Sequence, residues 1–99
     1  MIDFERIDGF DWDAGNARKN ERHGVTQAEA EQVFFDPRFL VAADDKHSQS
    51  EPRLHGLGTT AAGRPIHVTF TLRLDGTKIR VISARVMSRK ERACYEQKT

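Results

Sequence analysis

The run KIRVISARVMSRKERACYE, residues 78–96, gathers Lys78, Arg80, Arg85, Arg89, Lys90 and Arg92, with Glu91 the one acid before Glu96. That concentration is notable in a chain whose 16 Lys and Arg nearly balance its 15 Asp and Glu, for a formal net charge of +1. Arginine presents a fixed fork of donors that matches phosphate oxygens. A cluster of them can hold a phosphodiester and stabilise the negative charge that grows on it during reaction. The plainer alternatives are a solvated helix face with a hairpin edge kept soluble by basic residues, or a dock for an acidic protein. Other chemistries find less support. His23, His47, His55 and His67 are scattered, without the i, i+4 spacing of a helical zinc site. Asp44, Asp45 and His47 could hold a cation, but loops rich in Asp and Ser ordinarily serve turns and caps. GLGTTAAGR lacks the Lys-Ser/Thr of a phosphate-binding loop, none of the serines has an elbow-like setting, and Cys94 reads as a packed thiol. No cofactor is implied.

The elements that must position these residues follow from periodicity. IDFERI suggests a short first strand. DWDAGNARKNERHG suggests a helix, capped by Asp11 or Asp13 and stopped at Gly24. In TQAEAEQVFFDP, Thr26 and Glu29 form a capping-box pattern, Ala30, Val33 and Phe34 form a buried stripe, and Pro37 ends the helix. RFLVAA reads as a strand, and RLHGLGTT as a strand weakened by Gly56 and Gly58. IHVTFTLRL alternates most clearly, with Ile66, Val68, Phe70, Leu72 and Leu74 on one side and His67, Thr69, Thr71 and Arg73 on the other. Asp75-Gly76 signals a tight hairpin into KIRVISA, and Ser88 with Glu91 starts a last helix. This order predicts an α+β fold: an antiparallel sheet of about four strands, two N-terminal helices and a C-terminal helix. With helices on one face, the other, carrying His67, Arg73 and Arg80, stays partly open as a candidate site.

Length and composition bound the reading further. The 99 residues suit one domain, 1–99, with one small core. The lone Cys94 excludes an internal disulfide and any Cys-cluster zinc site. No apolar run approaches the ~20 residues that span a membrane, and the first residues have no signal-peptide character. The expectation is a cytoplasmic protein with no membrane contact. Asp3, Glu5, Asp8, Asp11 and Asp13 make the N-terminal segment acidic, so acidic and basic segments are expected to attract different partners.

Taken together, these segments resemble the BrnT toxins of bacterial type II toxin–antitoxin modules. The resemblance is carried by FDWDAGNARKNERHGV at 10–25, EAEQVFFDP at 29–37, DDKHSQSEPRLHGLG at 44–58, GRPIHVTFTLR at 63–73 and the basic run at 78–96. It implies a compact RelE-like ribonuclease, cleavage of RNA that inhibits translation, and neutralisation by a BrnA-type antitoxin with a ribbon-helix-helix part. Operator DNA would be met only through that antitoxin, in an assembly that could be 2:2. One departure stands out: where many members carry Lys before His-Gly-Val, this chain has Arg22, which keeps the charge but is less suited to act as a base.

Cleavage of this kind needs no metal, since the ribose 2′-hydroxyl attacks the adjacent phosphate. The resemblance and the residue chemistry make Arg80 and Arg85 the candidates for charge stabilisation, with His23 and His47 as acid or base. Tyr95 would orient substrate or stack on a base, and Lys19, Arg22 and Arg89 would hold flanking phosphates. Bland readings stand beside these. His23 could cap helix carbonyls, Trp12 anchor the core, His67 be a satisfied strand histidine, and Glu91 only complete its capping box. From a different class come a non-catalytic nucleic-acid-binding domain and a domain that merely sequesters its antitoxin.

Overall fold

The computed structural model describes residues 4–13, 15, 23–43 and 53–97. The strands are β1 (Gly9–Phe10), β2 (Leu40–Ala43), β3 (Leu54–Thr59), β4 (Pro65–Arg73) and β5 (Lys78–Val86). The described α-helices are α1 (Gln27–Gln32) and α2 (Arg89–Gln97), so the class is α+β as expected. The sheet has five strands rather than about four, in the order β1-β5-β4-β3-β2, and it is mixed. β1 runs parallel to β5, placing Gly9 opposite Lys78 and Phe10 opposite Ile79. Instead of a strand over IDFERI, Phe4–Arg6 form a 3-10 turn. Most of the helix expected over 11–24 lies outside the described residues, as does the loop at 44–52.

α1 begins as its sequence dictates. The Thr26 hydroxyl accepts from the Glu29 amide at 3.1 Å, and the Glu29 carboxylate accepts from the Thr26 amide at 3.0 Å. The helix tightens into a 3-10 turn at Val33–Phe35 before Pro37. Ala30 and Val33 then meet Ile66, Val68 and Phe70 of β4 and Ile79, Val81 and Ala84 of β5 in the core. Phe34 links the layers, its ring 4.9 Å from both Phe39 and Phe70. Gly56 and Gly58 are not weak points in β3 but places of close approach. A Cβ on Gly58 would stand 2.9 Å from the Val33 carbonyl oxygen and 3.0 Å from the Phe39 ring.

Two further differences reach the candidate site. The β4–β5 hairpin turns through residues 74–77 with positive φ at Leu74, Asp75 and Gly76, so Leu74 leaves the core side and is 68% exposed. The second sheet face is also less open than expected. Along β4, His67, Thr69 and Thr71 are all buried on it, and α2 brings Glu91 and Cys94 to it from the side opposite α1. The acidic N-terminal segment, moreover, does not stand apart from the basic strand. Asp8 pairs with Lys78, and Asp11 and Asp13 pair with Arg80, so charges segregated in sequence neutralise one another in space.

Replacing Gly58 with Ala tests the close approach. The new methyl meets backbone, which cannot swing aside, so the variant should lose about 1–3 kcal/mol of stability in urea unfolding.

Candidate functional site

The site is built by an irregularity in β5. Thr69 pairs with Ser83 but the next residue, Phe70, pairs with Val81, so Ile82 is an extra residue in the ladder. Side chains alternate along a strand, and Arg80 and Arg85, an odd number apart, would otherwise face opposite ways. The bulge restores them to one face: Arg80 lies opposite Thr71 and Arg85 opposite His67. It also returns Ala84 to the core beside Val68.

At the Arg85 end, polar groups converge on a cavity of about 700 Å³ lined by residues that include Leu57, His55, His67, Arg85, Glu91 and Cys94. The antiparallel register sets His55 opposite Thr69 and Leu57 opposite His67, which makes the two histidines diagonal neighbours. His55 Nδ1 lies 3.1 Å from His67 Nε2 and 3.1 Å from the Thr69 hydroxyl. The rings are 5.0 Å apart at their centroids. His67 Nδ1 is buried with no hydrogen-bond partner. A bare acceptor is the cheaper nitrogen to bury, which puts the His67 proton on Nε2, donated to His55 Nδ1.

Glu91 joins the other half of the cluster. Arg85 donates from Nη1 and Nη2 to its two oxygens at 2.8 and 2.9 Å, a bidentate pair. The same carboxylate accepts from the Ser88 amide at 2.8 Å, while the Glu91 amide donates to the Ser88 hydroxyl, so the capping box at α2 is present. Its Oε2 also lies 3.8 Å from His67 Nε2. The Arg85 hydrogen bonds, with smaller help from the Ser88 amide, hold the Glu91 carboxyl down at about 2 despite burial. Burial is the main influence that pushes the His67 pKa below its ordinary 6.5. Glu91 opposes the shift, and Arg85 and His55 add to it.

The other sequence candidates are dispersed. Arg80 donates to Asp13 at 2.7 Å and Asp11 at 3.5 Å, which raises its pKa further, and it does not line the cavity. Tyr95 is buried, with its hydroxyl donating to Asp36 and the Arg38 guanidinium 5.8 Å from its ring centre. His23 is exposed in the turn before α1, and Arg89 is exposed at the start of α2. His47, Lys19 and Arg22 lie outside the described residues. Trp12 packs against the core and donates to Glu31 at 2.7 Å. Sequence reasoning passed over His55 and Thr69. The hairpin register could have found them, because a turn centred on Ala62 sets residue 55 against residue 69. Among the described residues, no three His, Cys, Asp or Glu side chains are grouped to hold a metal ion. No described helix is long and apolar enough to cross a membrane.

The depressed Glu91 pKa carries a sign that can be measured. A carboxyl that titrates near 2 when folded, against an ordinary 4.5, contributes stability above pH 4.5 and loses it as pH falls toward 2. Because Arg85 is 44% exposed, the contribution is discounted for solvent to about 1–2 kcal/mol. His67, kept neutral by burial, adds its own loss below pH 6.5. Urea unfolding of the natural protein and of Glu91→Gln should therefore differ by that amount at pH 5–6 and converge near pH 2.

Comparison with known proteins supplies the family. No curated protein matches the chain. The family model for the ribonuclease toxin BrnT of type II toxin–antitoxin systems does match, over residues 12–91, which span α1, every strand from β2 to β5 and the start of α2 through Glu91. The chain belongs to the BrnT family of ribonuclease toxins.

Proposed function

We propose that this BrnT-family toxin is a metal-independent endoribonuclease whose cleavage site is the cavity shared by His55, His67 and Arg85. The observation that supports it best is the meeting of a hydrogen-bonded histidine pair, one of them buried, with a guanidinium at one concave place. Cleavage by the 2′-hydroxyl asks for three things: removal of its proton, stabilisation of charge on phosphorus as the 2′-oxygen bond forms, and a proton for the 5′-oxygen as its bond breaks. The two imidazoles are suited to move the protons near neutral pH. Arg85 supplies the positive fork, set at the end of β5 opposite His67, where a phosphate in the cavity can meet it. Arg80, paired with two carboxylates, serves the fold and long-range attraction more than the chemistry. Arg89 is placed to meet a flanking phosphate, and a role for Lys19, Arg22, His23, His47 or Tyr95 is secondary in this reading.

Type II membership brings an antitoxin. We take it to be BrnA-type, with a ribbon-helix-helix part that carries operator DNA contact, and to act in the cytoplasm by masking the Arg85 side of the sheet. If so, Arg85→Glu should bind the antitoxin measurably more weakly at low and moderate salt, while an antitoxin indifferent to the change docks elsewhere.

The decisive assay is cleavage of a defined RNA by folded, antitoxin-free protein in EDTA, with and without ribosomes. Arg85→Ala should lower the single-turnover rate by ~10²-fold or more at saturating protein, the scale of one lost preorganised donor. Arg89→Ala should weaken binding and leave that rate nearly unchanged. Intact RNA in every condition, with binding retained, would turn the reading into a non-catalytic nucleic-acid-binding domain.

A further inference from the structure

Glu91 holds Arg85 through both oxygens, so the fork that should meet a phosphate is already occupied. A phosphodiester entering the cavity must compete for it. Arg85 has reasons to yield: it is 44% exposed, and a second anion of the same geometry lets it turn without losing a partner. Glu91 cannot follow, because its carboxylate is fixed by the Ser88 amide in the capping box. Once Arg85 turns away, the Glu91 charge is left facing His67, whose Nε2 lies 3.8 Å from Oε2.

Resting on the cleavage reading above, we propose that Glu91 is a positioning residue that exchanges partners. RNA takes Arg85, and the released carboxylate draws a second proton onto His67, arming it as the acid for the 5′-oxygen only when substrate is bound.

The proton comes from solvent and goes to Nδ1, the ring nitrogen left bare in the resting protein, a burial cost that the facing Glu91 charge offsets. When substrate parts the hydrogen bond from His67 Nε2 to His55 Nδ1, the freed Nδ1 takes the 2′-hydroxyl proton as the 2′-oxygen–phosphorus bond forms. His67 gives its Nε2 proton to the 5′-oxygen as the phosphorus–oxygen bond breaks, so the imidazole pair ends with the protons exchanged and no net change of charge. Among the described residues, the titratable and charged groups that face His67 all enter this balance: His55 on β3, Arg85 on β5 and Glu91 on α2. In the resting protein, burial and Arg85 keep His67 neutral. The empty site is thus disarmed by the same arginine that later binds substrate.

The exchange is read by NMR titration of the imidazoles, free and with a 2′-O-methyl RNA oligonucleotide, which binds but cannot be cleaved. The His67 pKa should rise by about one unit or more on binding, and by less than half as much in Glu91→Gln. Gln keeps the capping-box geometry and removes only the charge. The alkaline limb of the single-turnover pH–rate profile should move to lower pH in the same variant, a change that a purely structural role for Glu91 would not produce. Arg85→Gln gives a second test that does not depend on how the Glu91→Gln variant folds, since freeing Glu91 without RNA should raise the His67 pKa in the free protein. A His67 that does not titrate differently on binding, or a full shift that persists in Glu91→Gln because the phosphate alone causes it, overturns the exchange. Cleavage by the natural protein is assayed alongside. Cleavage with an unmoved His67 overturns the exchange alone, whereas a moved His67 without cleavage supports the exchange and overturns the nuclease.

Discussion

The site depends on one extra residue in β5. A strand without the Ile82 bulge would have to choose between burying Ile79 and Val81 and burying Ala84 with Arg85 turned toward His67, because alternation fixes all of these positions at once. The bulge separates the two demands. Before it, Ile79 and Val81 supply the core and Arg80 the second face; after it, Ala84 supplies the core and Arg85 the second face. Such irregularities are features that re-aim a side chain, and here the side chain re-aimed is the guanidinium beside the histidines.

Along that second face, charge is arranged in two unlike units. At one end Arg80 is clamped by Asp11 and Asp13, which arrive because β1 pairs in parallel with β5. This unit ties the N-terminal segment to the sheet with partly exposed pairs, each a modest contribution to stability. At the other end Arg85 meets a carboxylate that also caps a helix and approaches a buried histidine. One is a surface clasp. The other is a coupled group in which moving any member changes the charge state preferred by its neighbour.

What could be read in the sequence was local. The capping boxes of Thr26 with Glu29 and of Ser88 with Glu91, the alternation of β4 and the hairpin after it all depend on residues a few positions apart, and the family resemblance depends on ordered segments. What escaped depended on distance or on backbone irregularity. β1 is two residues long and pairs in parallel with a strand far along the chain, a contact that periodicity does not encode. Leu74 continued the apolar alternation yet entered a left-handed turn. The bulge broke the alternation of β5, and His55 joined His67 only through the hairpin register. The arginine cluster marked β5 and α2, but not which of its arginines would meet the histidines.

Asp36 explains how so small a core holds the site still. Its carboxylate accepts from the Thr59 amide at 2.9 Å, the Thr59 hydroxyl, the Arg38 amide and the Tyr95 hydroxyl. Burial alone would raise its pKa, but these hydrogen bonds outweigh it and keep the group ionised. Through them the chain after α1, the end of β3 and the last turn of α2 share one anchor. Glu91 and Tyr95 are four residues apart, so they lie on the same side of α2, and docking Tyr95 fixes the direction in which Glu91 points. Tyr95 therefore bears on the candidate site from a distance. It sets the helix, the helix sets the carboxylate, and the carboxylate holds Arg85 beside His67.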